Sequence, residues 1–125
     1  MPRYLKVIQD DLFFAARVET HARRLGLRVE PVNPQAIDHL VPDADAVLVL
    51  QLTLHPEGQL DLLQRLRSKF PTQPVVAVTG HLETELRKRA KALGAVLASH
   101  SAMDRVLARV CGLGDSHPTG AAPER

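Results

Sequence analysis

Tryptophan is absent, tyrosine and cysteine occur once each, and phenylalanine three times. So thin an aromatic content leaves no platform on which successive unpaired bases could stack, the usual mode of single-strand binding. One cysteine, Cys111, excludes an internal disulfide framework and any zinc site built on several thiolates. No apolar run approaches the roughly 18 residues of a membrane-spanning helix. A strong excess of one charge is missing too. Sixteen Lys and Arg against fourteen Asp and Glu leave a net +2, too little to imply nucleic acid as a partner. The opening Met1-Pro2-Arg3-Tyr4-Leu5-Lys6-Val7 carries no long apolar stretch behind its charges, so the expectation is a cytoplasmic protein with no secretory leader and no membrane contact.

What is there is ordinary for one globular domain: 125 residues, 45% apolar and 24% charged. Residues 112–125 are rich in glycine, proline and small side chains and offer little apolar area to offset ordering. The expected organisation is a domain over 1–113 and a disordered tail over 114–125.

Short apolar runs alternate with helical patterns. Leu5-Lys6-Val7-Ile8 reads as a strand closed by Gln9-Asp10-Asp11. Phe14, Val18, Ala22 and Leu25 form one stripe of a helix over 12–25, and Gly26 stands where its left-handed cap belongs. Residues 27–32 alternate like a half-exposed strand. Asn33-Pro34 signals the start of a short helix over 34–40. Ala46-Val47-Leu48-Val49-Leu50 and Pro74-Val75-Val76-Ala77-Val78 are continuously apolar, as strands buried on both faces are. Between them a helix carries Leu60, Leu63, Leu66 and Phe70. A helix over 82–93 shows the stripe Leu82, Leu86, Ala90 and Leu93, with Glu83 and Glu85 in its first turn, basic residues toward its end and Gly94 to close it. Ala95–Ala98 reads as a last strand, and Ser101 with Asp104 as a capping-box-like start of a helix to about 111. Five β–α units in series predict an α/β, doubly wound five-stranded parallel sheet of order 2-1-3-4-5 with helices on both faces, the flavodoxin-like class. In such sheets ligands bind at the carboxyl ends of the strands. That end comprises Gln9–Asp11, Gln51–Gly58, Thr79–His81 and Ser99–Ala102.

The run Pro74-Val75-Val76-Ala77-Val78-Thr79-Gly80, the pair Gly94-Ala95 after a helix, and the amphipathic Leu60-Asp61-Leu62-Leu63-Gln64-Arg65-Leu66-Arg67 resemble the CheY-like receiver domain of bacterial response regulators over about 3–112. The resemblance implies a phosphoacceptor Asp on strand 3, an acidic pair after strand 1 that joins it in holding Mg²⁺, a Thr or Ser after strand 4, and a Lys after strand 5. Counting onto this sequence puts the acceptor on Gln51, or in other registers on Leu50 or Leu52. None is a carboxylate. The lysine position falls on Ser101, with Ala102 where a proline usually follows, and the aromatic switch position on Ala98. The acidic pair falls on Gln9-Asp10 or, with one gap, on Asp10-Asp11. Only Thr79 and part of the acidic group remain, so the degenerate site is Asp10, Asp11, Gln51, Thr79 and Ser101. Asp10 keeps the capacity to bind Mg²⁺ weakly, whereas Asp11 reads as the cap of the first helix. The segments Asp11-Leu12-Phe13-Phe14 and Gly80-His81-Leu82-Glu83-Thr84-Glu85-Leu86 are also similar to a group of stand-alone receiver-like proteins, which implies a pseudo-receiver.

No other constellation supplies chemistry. Six scattered histidines form no paired ligand motif, although His55, His81 and His100 fall at one sheet end. Flavin mononucleotide needs a hydroxyl- and glycine-rich loop where Gln9-Asp10-Asp11 stands, and the cobalamin motif Asp-x-His-x-x-Gly is absent. No cofactor is expected. Arg87, Lys88, Arg89 and Lys91 read as a solvated helix face, and Cys111 as a packed residue.

These readings predict a non-enzymatic, phosphorylation-independent interaction module that pairs with a protein partner or itself as a homodimer. Met103, Val106, Leu107 and Val110 exceed what one inward face of a short helix uses, so the final helix is one candidate interface. The resemblance implies the same patch, since receivers commonly pair there. The other is Phe13 with Arg17, because Phe13 lies about 140° from the first helix's apolar stripe. Phe13 has an alternative role as a plug of the degenerate pocket. The alternative for the whole chain is a receiver phosphorylated by a histidine kinase at another acid, Asp10 or Glu57.

Overall fold

A computed structural model describes residues 4–9 and 11–113. Asp10 and the tail expected over 114–125 lie outside the described residues. The elements are β1 (Tyr4–Ile8), α1 (Leu12–Arg24), β2 (Arg28–Val32), a 3-10 helix (Pro34–His39), β3 (Ala46–Gln51), α2 (Pro56–Lys69), β4 (Val75–Thr79), α3 (Thr84–Ala92), β5 (Val96–Ser99), a second 3-10 turn (His100–Ala102) and α4 (Met103–Val110). All strand pairs are parallel and the order is β2-β1-β3-β4-β5, as predicted.

Alternation along the central strands sorts the core into two layers. Val47, Val49, Val76 and Val78 face one side and pack with Phe14, Val18 and Ala22 of α1 and with Met103 and Leu107 of α4. Leu48, Leu50 and Ala77 face the other and pack with Leu60, Leu63 and Leu66 of α2, Leu86 and Ala90 of α3, and Ile37. Five apolar residues in a row in β3 serve both layers at once. The outer strand β2 is mostly exposed and contains Pro31, which pairs in register with Val7. Proline has no amide to donate, and an edge strand is where a sheet tolerates that.

Local signals work where they are local. Gly26 and Gly94 adopt φ of 72° and 90° just past α1 and α3, a region costly for other L-residues. Asp11 caps α1, its side chain accepting from the Phe13 and Phe14 amides, and Asn33 caps the 3-10 helix. Among the described residues, no helix is long and apolar enough to cross a membrane.

Three expectations are corrected. Helix α3 begins at Thr84, not 82, and Leu82 is 80% exposed instead of heading the stripe. The chain turns at His81-Leu82 because Glu83 bonds back to Gly80, backbone to backbone at 3.1 Å and through its side chain. The last helix starts at Met103, after a 3-10 turn in which the Ser99 hydroxyl accepts from the Ala102 amide. Asp104 therefore leaves Ser101 and reaches across to α1. The apolar surplus expected on this last helix is not on the surface. Met103, Val106 and Leu107 are buried in the core, and half-buried Val110 packs against it. Spacings of three, four and seven residues place all four on one stripe, which the sheet and α1 cover.

Candidate functional site

The carboxyl ends of β1, β3 and β4 meet in a polar crevice whose members are mainly amides. Gln9, at the end of β1, is buried, and its Oε1 accepts from the Gln51 backbone amide at 3.3 Å and from Gln59 Nε2 at 3.0 Å. Gln59 Nε2 also donates to the Gln51 carbonyl at 2.7 Å. Gln51, at the acceptor position implied by the resemblance, thus has both its backbone amide and its backbone carbonyl engaged by neutral side chains. Amide groups satisfy buried polar atoms well but bring no formal charge to a hard divalent cation, which prefers carboxylates.

Thr79 ends β4, fully buried, and its hydroxyl oxygen accepts from Arg87 Nη1 at 2.8 Å. Beside it the Glu83 carboxylate accepts from the Gly80 amide at 2.6 Å and from the Thr53 hydroxyl at 3.0 Å. Ser101 is exposed, its hydroxyl 3.3 Å from that of Ser99. Among the expected members, then, Gln51 and Thr79 lie on adjacent strand ends, Asp11 is spent on its helix, and Ser101 sits on the rim.

Glu57, the other acid considered as an acceptor, is held by both guanidinium nitrogens of Arg89, at 2.7 and 3.0 Å. That hydrogen bond and charge hold its carboxyl below the usual range, which makes it a poorer nucleophile. The same pairing takes Arg89 out of the basic run on α3, and Thr79 takes Arg87. Burial pushes the Cys111 thiol up, in keeping with a packed, unreactive residue. Among the described residues, no three His, Cys, Asp or Glu side chains gather closely enough to hold a metal ion.

Beside the crevice, an open groove of about 560 Å³ runs between α1 and the turn after β5, lined by Phe13, Arg17, Thr20, Arg24, His100 and Ser101. Arg17 Nη1 lies 3.0 Å from His100 Nδ1. Burial, helped by the Arg17 charge, lowers the His100 pKa, which favours the neutral ring. Phe13 does not plug the crevice; it is 86% exposed, and Leu12 beside it 82%. Phe14, the next residue, turns inward with Val18 and Ala22, the stripe that packs on the sheet.

Gln59, Glu83 and Arg87 are the participants that sequence reasoning missed. Glu83 follows Gly80 by three residues, the spacing at which a side chain reaches back to a preceding turn amide, and it stands just before α3. Gln59 carries no such signal, since a glutamine in a helix's first turns has no favoured partner.

No protein-family model and no curated protein matches the chain. Solved structures do. A response regulator from Thermotoga maritima is 17% identical, with 90% of this chain and 99% of that one covered and a TM-score of 0.72. A response regulator receiver protein from Burkholderia phymatum is 18% identical over 89% and 96%, with a TM-score of 0.66. The chemotaxis response regulator CheY4 of Vibrio cholerae is 16% identical over 88% and 99%, at 0.67. The fold of this chain is the receiver-domain fold, and at these identities the likeness is one of fold.

Proposed function

We propose that the chain is a phosphorylation-independent docking module of signal transduction, acting in the cytoplasm by non-covalent contact with a protein partner or a second copy of itself, and catalysing nothing. The observation that supports this reading is the residue at the end of β3: where phosphotransfer would need an acceptor carboxylate stands Gln51, buried, with Gln9 and Gln59 bonded to its backbone and to each other. A carboxamide oxygen is a poor nucleophile and brings no negative charge to a magnesium ion, and Ser101 supplies no ammonium group to neutralise a transferred phosphoryl. Each missing charge costs on the order of 3 kcal/mol of transition-state stabilisation.

The docking half rests on Leu12 and Phe13, exposed side by side at the tip of α1 with Arg17 one turn on. Aromatic and arginine side chains dominate binding hot spots. Leu54 and Leu82, also exposed, lie on the loops leaving β3 and β4 at the same end of the sheet, which gives the crevice an apolar rim.

Two measurements test the two halves. Incubation with acetyl phosphate and Mg²⁺ leaves the intact mass unchanged; a phosphoryl adduct overturns the phosphorylation-independent half. Sedimentation equilibrium shows a dimer that Phe13→Glu weakens at least tenfold. A strict monomer at every concentration, with no partner retained in a pull-down, sinks the docking half.

A further inference from the structure

Glu83 does more than open α3. Its Oε1 accepts from the Gly80 amide at 2.6 Å and from the Thr53 hydroxyl at 3.0 Å. Gly80 belongs to the turn leaving β4 and Thr53 to the loop leaving β3, so one carboxylate oxygen joins segments that follow different strands. The residue at 80 suits the contact, because a β-carbon there would lie 3.0 Å from that same oxygen. One helical turn on, Arg87 holds the Thr79 hydroxyl at 2.8 Å, so Thr79 at the end of β4 and Gly80 just after it are held from α3 and from its N-cap residue. Hydrogen bonds to an ionised acceptor are roughly twice as strong as neutral ones.

We propose that Glu83 is a built-in clasp, whose carboxylate ties the 53–55 loop to the 80–82 turn and fixes Leu54 and Leu82 in a single arrangement. The chain's own charge then orders the rim, with no covalent modification needed. The inference rests on the docking reading above and supplies the means by which that surface keeps its shape. Local turn closure accounts for the Gly80 bond, since a side chain three residues on reaches back to the amide that opens the turn before α3. It does not account for the Thr53 bond, which crosses between loops.

Backbone ¹⁵N relaxation on the full chain separates the two. In the wild type both loops show order parameters near the rigid value of about 0.85, and in Glu83→Ala both fall below about 0.6. Glu83→Gln, which keeps an acceptor oxygen without the charge, lies between. Thr53→Val loosens 53–55 while Gly80 stays ordered. Loss of order confined to 80–82 in Glu83→Ala, with 53–55 rigid in that variant and in Thr53→Val, reduces Glu83 to a brace of its own turn and overturns the proposal, as does rigidity throughout. Failure of the docking reading is distinguishable, because it appears as a strict monomer with no partner retained in a pull-down, whereas the clasp is read from the relaxation of the two loops in the single chain.

Discussion

Helices α1 and α4 pack on the same face of the sheet and share an ion pair, yet they dispose of their apolar residues in opposite ways. In α4, Met103, Val106 and Leu107 all go inward. In α1, Phe14 goes inward while Leu12 and Phe13 stay in solvent. Both helices look over-supplied with apolar side chains for their length. Spacing, not number, separates them: residues three, four and seven apart share a face, whereas three consecutive ones spread over most of a turn. An apolar surplus therefore marks a surface only where it breaks the helical period.

The largest expected effect sets one helix against the other. Leu107→Ala costs about 2–5 kcal/mol in denaturant unfolding, as removal of a fully buried leucine does. Phe13→Ala stays within about 0.5 kcal/mol of the wild type, because it removes no buried contact. Equal costs for the two would break the comparison.

A smaller effect sharpens the seam between the helices. Asp104 on α4 meets His21 and Arg24 on α1. Asp104→Ala costs about 0.5–1 kcal/mol, the range for half-exposed pairs. Combined with His21→Ala it adds little, because the two changes delete one interaction. Full additivity in denaturant titrations would mean that the helices are held by packing alone.

The smallest effect is a pH dependence. The pKa of His100 is lowered in the folded chain, chiefly by burial and then by Arg17. The unfolded chain therefore takes up this proton first as pH falls, so stability declines as pH drops below the unfolded value of about 6.5. His100→Gln flattens that part of the profile. An unchanged slope in the variant would show that the Arg17–His100 contact plays no part in seating α1 against the turn after β5.

Much of the architecture was legible because its causes are short-range. The uninterrupted run Ala46–Leu50 could only be a doubly covered strand, Asn33-Pro34 and Asp11 could only open helices, and Gly26 and Gly94 closed them. The positions of Gln51 and Ser101 at the carboxyl end of the sheet were legible too. What escaped depends on partners brought together by folding. Asp104 finds His21 across 83 positions of sequence, Gln59 finds Gln9 across 50, and Glu83 finds Thr53 across 30. The stripe that seemed to include Leu82 was extended one turn too far, because periodicity cannot register a side chain folding back onto the preceding turn.

Pro31 has a consequence for how copies of this chain can meet. An open parallel sheet invites further strands to add along its border, the route to ribbons and fibres. With no donor at mid-strand, only five residues and charged neighbours at Arg28 and Glu30, that border is a poor template. Polymerisation through the backbone is blunted along that border, which turns any pairing of whole strands toward the opposite edge at β5.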